Sequence, residues 1–437
     1  MNLDDQRLWE FLAVDAPPLA AATLAAMVCG LLGNWLVLRR MSLMGDAISH
    51  SVLPGIVGAF LLTGSRAPLP MFLGALVAGV LTAVLSSAVR RFAKVDPGAA
   101  MGVVFASLFA LGVLLIEQAA ARQVDLDPDC VLYGSLESLF WFPPADGSLL
   151  SAASLSRLPT PVLTLAATAV VAAAVTWVLR KELALTSFDP GLAAALGFRP
   201  GLVHILLMML VAAATVASFE AVGSILVVAM LTCPAASARL WTDRLRTQIL
   251  LSVGFAVLLA WSGYLLAATA PTWLGTSGAI GAAGTMSVMG GVMLLASALA
   301  SPRHGVLAAA WRRRTLAQRI ACEDVLGLLY RLRETGHEAV DGAQVERATE
   351  RGLIGLRLAL DRGLVTRDAG RVGLSPSGLA EAQAIIRRHR RWEGFLADEL
   401  GLEPDHVHPT AERLEHFAEA EPPEDGRTND PHGKPIP

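Results

Sequence analysis

Within residues 41–60, MSLMGDAISHSVLPGIVGAF, Asp46 and His50 stand four apart in a stretch otherwise apolar enough to enter a bilayer. At i and i+4 of a helix the two side chains share one face. A carboxylate oxygen and an imidazole nitrogen placed there could hold a divalent cation jointly, and that pair suits manganese, iron or zinc better than magnesium or calcium. Glu220, in ASFEAVGSILVV, is a second carboxylate in apolar surroundings and could complete such a site. Ionisable groups at membrane depth are costly and usually face a partner or a wet cavity. The plainer alternative is that Asp46 caps a helix and pairs with His50.

A second constellation lies far downstream. Seven of the nine histidines fall beyond residue 300. His389 and Glu393 are spaced i, i+4, and Glu412, Glu415 and His416 are spaced i, i+3, i+4, so each set converges on one helical face. Two such helices facing each other would form a mixed carboxylate and imidazole site.

The elements that must position these groups follow from composition. With 54% hydrophobic and 17% charged residues in 437 and a mean hydropathy of +0.53, most of the chain is a membrane protein. Apolar runs of bilayer length predict about nine spans, near 18–38, 43–63, 70–90, 98–118, 159–179, 202–218, 220–238, 248–268 and 280–300. After residue 300 the sequence turns Arg/Glu-rich and amphipathic. Arg39/Arg40, Arg90/Arg91/Lys94, Arg180/Lys181/Arg199, Arg239/Arg244/Arg246 and Arg303/Arg312/Arg313/Arg314 occupy alternate loops, which makes those loops cytoplasmic. Nine spans then put the N-terminus outside and the tail in the cytoplasm. The opening MNLDDQRLWEF lacks a basic start, so no cleaved leader is expected, and the four cysteines suggest no disulfide framework.

Two further stretches, and one missing motif, bear on function. FDPGLAAALGF, 188–198, lies between cationic flanks, with Pro190 to start a short helix and Gly197 to end it. In RQVDLDPDCVLYGSLESL, Asp125, Asp127 and Asp129 could steer a cation, but the glycine and glutamate of a calcium loop are missing. No G-x-x-x-x-G-K-[ST] loop exists anywhere, so no nucleotide is expected to bind this chain and energy must come from another subunit.

GNWLVLRRMSLMGDAISHSVLPGIVGAFLL and the stretch from LTSFDPGLAAALGF to ASARLWTDRL resemble the permeases of metal-type ABC importers, over roughly residues 15–300. The resemblance implies that Asp46, His50 and Glu220 are polar positions on a translocation path. It also implies that Phe188, Asp189, Pro190, Leu192, Leu196 and Gly197 belong to a coupling helix that docks into an ATPase subunit. The implied partners are that ABC ATPase, an extracytoplasmic metal-binding protein, a second permease subunit and membrane lipid.

The tail from about 320 resembles metalloregulators of the diphtheria toxin repressor class. CEDVLGLLYRLRE matches their first helix, QVERATERGLIGLRLALDRGLV the helix-turn-helix, VTRDAGRVGLS the wing, and SPSGLAEAQAIIRRHRRWEGFL onward to DPHGKPIP the metal-binding and dimerisation part. Carried over, the ligand candidates are Asp324, His389, Glu393, His408, Glu412, Glu415 and His416, with a glutamate at 412 favouring manganese. Gly327 stands where manganese-type members carry another acidic ligand, so a two-metal site would be incomplete. The recognition-helix segment has Arg351, Arg357 and Arg362 but lacks base-reading Ser, Thr, Asn or Gln, which makes nucleic acid an improbable partner.

The expected architecture is therefore mainly α: a permease domain over 1–300, a linker at 301–319, a winged-helix-like domain at 320–375 and a metal-binding/dimerisation-like domain at 376–437. The expected function is the permease subunit of an ATP-driven divalent metal importer, moving manganese, zinc or iron, with a metal-sensing tail. A membrane-tethered transcription regulator is the alternative.

Overall fold

The computed structural model describes residues 11–65, 67–120, 136–142, 157–275, 280–416, 426 and 428–437. Asp125, Asp127 and Asp129 lie outside them. Two units separate between Ala308 and Ala309.

Unit one is all helix. After a π-turn at Phe11–Asp15 come α1 (Ala16–Leu38), α2 (Met44–Ser51), α3 (Leu53–Thr63), α4 (Pro68–Ala93), α5 (Pro97–Ala120), α6 (Thr160–Val178), α7 (Arg180–Phe188), α8 (Pro190–Ala195), α9 (Pro200–Trp241), α10 (Leu245–Leu274) and α11 (Ala282–Ala300). Among the described residues, eight helices are long and apolar enough to cross a membrane, counting α2 with α3 as one. One of them is of double length. The 42 residues of α9 would rise about 63 Å, twice the roughly 30 Å of hydrocarbon. It covers both spans expected at 202–218 and 220–238, and it breaks at Gly223, whose φ of 77° and ψ of 166° are tolerated essentially by glycine alone.

α9 is also the hub, packing against α1, α2, α4, α6, α10 and α11. Small residues allow the approach. A Cβ at Gly33 of α1 would lie 2.0 Å from the carbonyl oxygen of Leu231, so only glycine fits at this crossing. Between α1 and α10, Gln248 donates to Asn34 at 3.1 Å while Ser252 and Asn34 both donate to the Gly30 carbonyl. These buried groups satisfy one another, as a bilayer interior requires.

Unit two begins within α12 (Val306–Glu334) and continues through β1 (Val340–Asp341), α13 (Gly342–Ala348), α14 (Gly352–Asp361), β2 (Val365–Asp368), β3 (Arg371–Leu374), α15 (Pro376–Asp398) and α16 (Pro404–Leu414). The sheet is antiparallel in the order β1-β3-β2, with Val365 opposite Leu374 and Asp368 opposite Arg371. Ala369 and Gly370, both at positive φ, turn the hairpin as a two-residue loop demands. Val325, Leu326, Leu329, Leu356, Val372 and Ile385 form the core beneath it. A smaller apolar cluster of Leu396, Val407 and Ala411 joins α15 to α16.

The C-terminal strand of chain is clasped by one buried cation. Arg390, 4% exposed, donates to Glu334 at 2.7 and 2.9 Å, sits 3.6 Å from Asp430 and also reaches the Pro435 carbonyl. Removing it leaves a buried Asp430 uncompensated. Arg390→Gln is expected to destabilise this unit by about 3 kcal/mol, read as an earlier chemical-denaturation midpoint.

Candidate metal path and candidate metal centre

In the membrane unit, α2 sets Asp46 and His50 on one face, with His50 Nε2 3.4 Å from an Asp46 carboxylate oxygen and both side chains partly exposed. The imidazole rests against the rings of Phe105 and Phe109 on α5, at centroid distances of 5.9 and 6.2 Å. Helix α2 stops at Ser51, with Val52 as its cap, because Pro54 follows. Proline has no N–H to give the His50 carbonyl and its ring crowds that oxygen. Glu220 lies exposed on α9, three residues before the break at Gly223. Both sets of ionisable groups thus adjoin interrupted helices, which in membrane transport proteins is where ion sites are built. The ligand atoms of Glu220, Asp46 and His50 do not gather into one cluster; the groups of three that do so among the described residues belong to the tail.

Between α6 and α9, the chain carries the short helix α8 that Pro190 and Gly197 lead one to expect. Asp189 caps it by accepting from the Leu192 amide at 2.9 Å, and Gly197 ends it at φ 86°. Phe188, Leu192 and Leu196 are 64%, 48% and 61% exposed. Three large apolar groups around one capped turn form a knob.

In the tail, α12, α15 and α16 bring together two groups, His389–Glu393–His408 and Asp324–Glu415–His416, each with ligand atoms within 4.8 Å of one another. In the first, a Glu393 oxygen lies 3.1 Å from His389 Nε2 and 2.8 Å from His408 Nδ1. In the second, His416 Nε2 lies 3.2 Å from Asp324 and 3.8 Å from Glu415. Glu415 joins the two, because its other oxygen comes within 2.5 Å of His389 Nδ1. Those two atoms are buried. In the metal-free state the two form a close buried ion pair, and each would be a ligand atom available to a cation in place of the proton.

The donors are nitrogen and oxygen throughout, which fits manganese, iron(II) or zinc. A bound cation would replace protons as the charge that balances these carboxylates. Without it, the imidazoles do so. Burial alone would lower the His416 pKa, but bonds to Asp324 and Glu323 outweigh it and hold it at about 9. His389 is raised in the same sense by Glu393 and Glu415. Burial alone would raise Glu393, yet His389 and His408 hold it down at about 2.

Six of the seven tail candidates come together, and the seventh does not. Glu412, on which the manganese preference rested, is exposed on α16 outside both groups. Conversely Glu323 was missed. It accepts from Arg319 at 2.7 Å and lies 2.7 Å from His416 Nδ1, so it orients that ring as outer partners of metal ligands do. Its adjacency to Asp324 was the available signal. In the winged part, α14 exposes Leu353 and Ile354, at 61% and 44%, beside Arg357.

A bundle of membrane-spanning helices with ionisable groups at helix breaks, carrying a separate unit with two candidate metal-ligand clusters, defines a polytopic transport subunit with a metalloregulator-like tail. Residues 14–139 and 154–297 match the ABC 3 transport family, and the chain belongs to it. Residues 375–421 match the iron dependent repressor, metal binding and dimerisation domain. The manganese transport system membrane protein MntD of Bacillus subtilis is 41% identical over 289 residues, 66% of this chain and 92% of that one. The zinc transport system membrane protein TroD of Treponema pallidum is 34% identical over 376 residues, covering 84% of this chain and 97% of that one. Among solved structures, PsaBC from Streptococcus pneumoniae in complex with Fab aligns with a TM-score of 0.54 and 28% identity, over 69% of this chain and 98% of that one.

Proposed function

We propose that this chain is the permease subunit of an ATP-driven importer of a divalent metal, manganese or zinc, with iron(II) chemically admissible. The observation that carries this reading is the Asp46–His50 pair beside a proline-broken helix, in a chain of the ABC 3 transport family whose relatives are manganese and zinc transport permeases. The metal is substrate in the membrane unit. Energy comes from a separate ABC ATPase subunit, which takes the exposed knob around α8. A second permease subunit, identical or similar, completes the path, and an extracytoplasmic binding protein delivers the ion. The chain sits in the bacterial cytoplasmic membrane with its basic loops and tail in the cytoplasm.

The tail reads cytoplasmic metal at the Glu415-linked centre and restrains uptake when loaded. Repressor-like DNA binding is the weaker reading, since α14 carries no Ser, Thr, Asn or Gln to read base edges beside its arginine.

Reconstitution of the permease with its ATPase in vesicles tests the transport reading. ATP should drive manganese or zinc uptake, each competing with the other. Leu192→Asp should lower the metal transported per ATP hydrolysed by about tenfold, because a buried charge at the docking knob opposes assembly. Coupling that survives this change unaltered would remove α8 from the ATPase interface.

A further inference from the structure

Close to α8 lies a cavity of about 500 Å3. Its wall receives Arg39 from beyond α1, Arg90 and Arg91 from the last turn of α4, and His204 from α9. Four hydroxyls, those of Ser86, Ser87, Thr186 and Ser187, fill the spaces between them, and no carboxylate is among the lining residues.

The hydroxyls do not neutralise this charge. Arg39 donates through Nε to Ser187 at 3.0 Å and through Nη2 to Thr186 at 2.8 Å, while His204 lies 3.4 Å from Arg39 Nη1 and 3.2 Å from Ser87. Thr186, Ser187 and Ser87 spend their own protons on helix carbonyls one turn back. Arg39 is therefore held in place by neutral acceptors with its charge intact. Ser86 differs from the other three. It is 4% exposed, its oxygen is buried, and it has no hydrogen-bond partner. A buried hydroxyl left unsatisfied on a cavity wall is a donor waiting for an acceptor. Three guanidiniums in fork geometry are the groups best matched to an oxyanion.

We propose that this cavity binds an oxyanion of the phosphate class, with Arg39, Arg90 and Arg91 facing its charge and the Ser86 hydroxyl donating to one of its oxygens. The volume exceeds that of inorganic phosphate, leaving room for a phosphate ester. The location gives the anion a role. Met44, the first residue of the helix that carries Asp46 and His50, and Pro190, the first residue of α8, both border the cavity. An anion seated there ties the metal-path helix to the ATPase-docking segment. It also offsets a positive field that would oppose a divalent cation passing along α2. That effect on transport rests on the importer reading, whereas binding of the anion does not.

Equilibrium dialysis of the full chain in detergent against radiolabelled inorganic phosphate, at fixed ionic strength with chloride or sulfate as competitor, measures the free-anion source. Reconstitution into discs of phosphatidylcholine with or without phosphatidylglycerol, followed by counting phospholipid retained on re-extraction, measures the headgroup source. Saturation near one anion per chain in either arm is expected. Ser86→Ala and Arg91→Gln should each weaken it tenfold or more, with the unliganded thermal midpoint unchanged, because Ser86 has no partner to lose and Arg91 is exposed. Lack of saturation in both arms, full displacement by chloride, or unaltered binding by both variants overturns the proposal, and none of these results would touch the transport assay above.

Discussion

Asp46→Asn is expected to lower ATP-driven metal uptake by the reconstituted transporter at least about a hundredfold, and His50→Ala to a similar floor. Even outer-shell partners of a metal cost ten- to a hundredfold when removed, and these two side chains are the only ionisable pair that α2 places on one face. Asparagine keeps the volume and loses the charge that offsets ion dehydration. The double variant should be no worse than either single one, since groups that hold one ion act as a unit. Both side chains are partly exposed and bonded chiefly to each other, so the thermal midpoint should hold. Uptake that persists in Asp46→Asn, with a folded protein and a working ATPase, would mean that the pair merely caps α2. Glu220→Gln separates a further point. If Glu220 meets the ion elsewhere along the path, uptake falls while ion retention at the Asp46–His50 pair stays.

Apolar runs of bilayer length were enough to place the membrane helices, because hydrocarbon admits few backbone solutions. The boundary expected near residue 219 falls four residues from the actual break at Gly223, which is set by one backbone dihedral pair invisible to hydropathy. Pro190 and Gly197 were legible for the opposite reason: their conformations are local and residue-encoded, whereas the wing hairpin came only from the family resemblance. Resemblance named six tail residues that the fold gathers into two clusters, yet it could not see that Glu412 stays exposed outside them. Side-chain direction on α16 depends on which face Val407 and Ala411 bury against α15, and that packing choice is tertiary. The same reason hid Glu323, which gains meaning only when His416 folds back beside α12. The cavity at Arg39 draws on six helices and the segment after α1, and nothing in any single segment announces it.

The shared carboxylate makes the tail's sharpest test. Glu415→Gln should abolish metal binding at both groups together, since His389 and His416 each face one of its oxygens. Glu412→Gln should leave binding within about twofold, because an exposed carboxylate outside both groups contributes only a screened field. Metal content of the purified full chain distinguishes the two variants directly. If the loaded centre restrains transport, Glu415→Gln and His416→Ala should also remove inhibition by internal metal without changing basal uptake. Titration supplies an independent sign. With His416 held at about 9 in the metal-free state, a metal must displace its proton at neutral pH, so apparent affinity should climb as pH rises from 6.5 toward 9. Stability of the metal-free chain should move oppositely. A raised histidine contributes its full stabilisation below its unfolded pKa near 6.5 and loses it as pH passes about 9, whereas Glu393, held at about 2, contributes above about 4.5 and loses it on acidification through 2. Metal binding and metal-free stability therefore cross between pH 6.5 and 9, and Glu415→Gln should flatten both curves in that window. Equal metal content in the two glutamine variants would instead return position 412 to the ligand set and break the link that Glu415 makes between the groups.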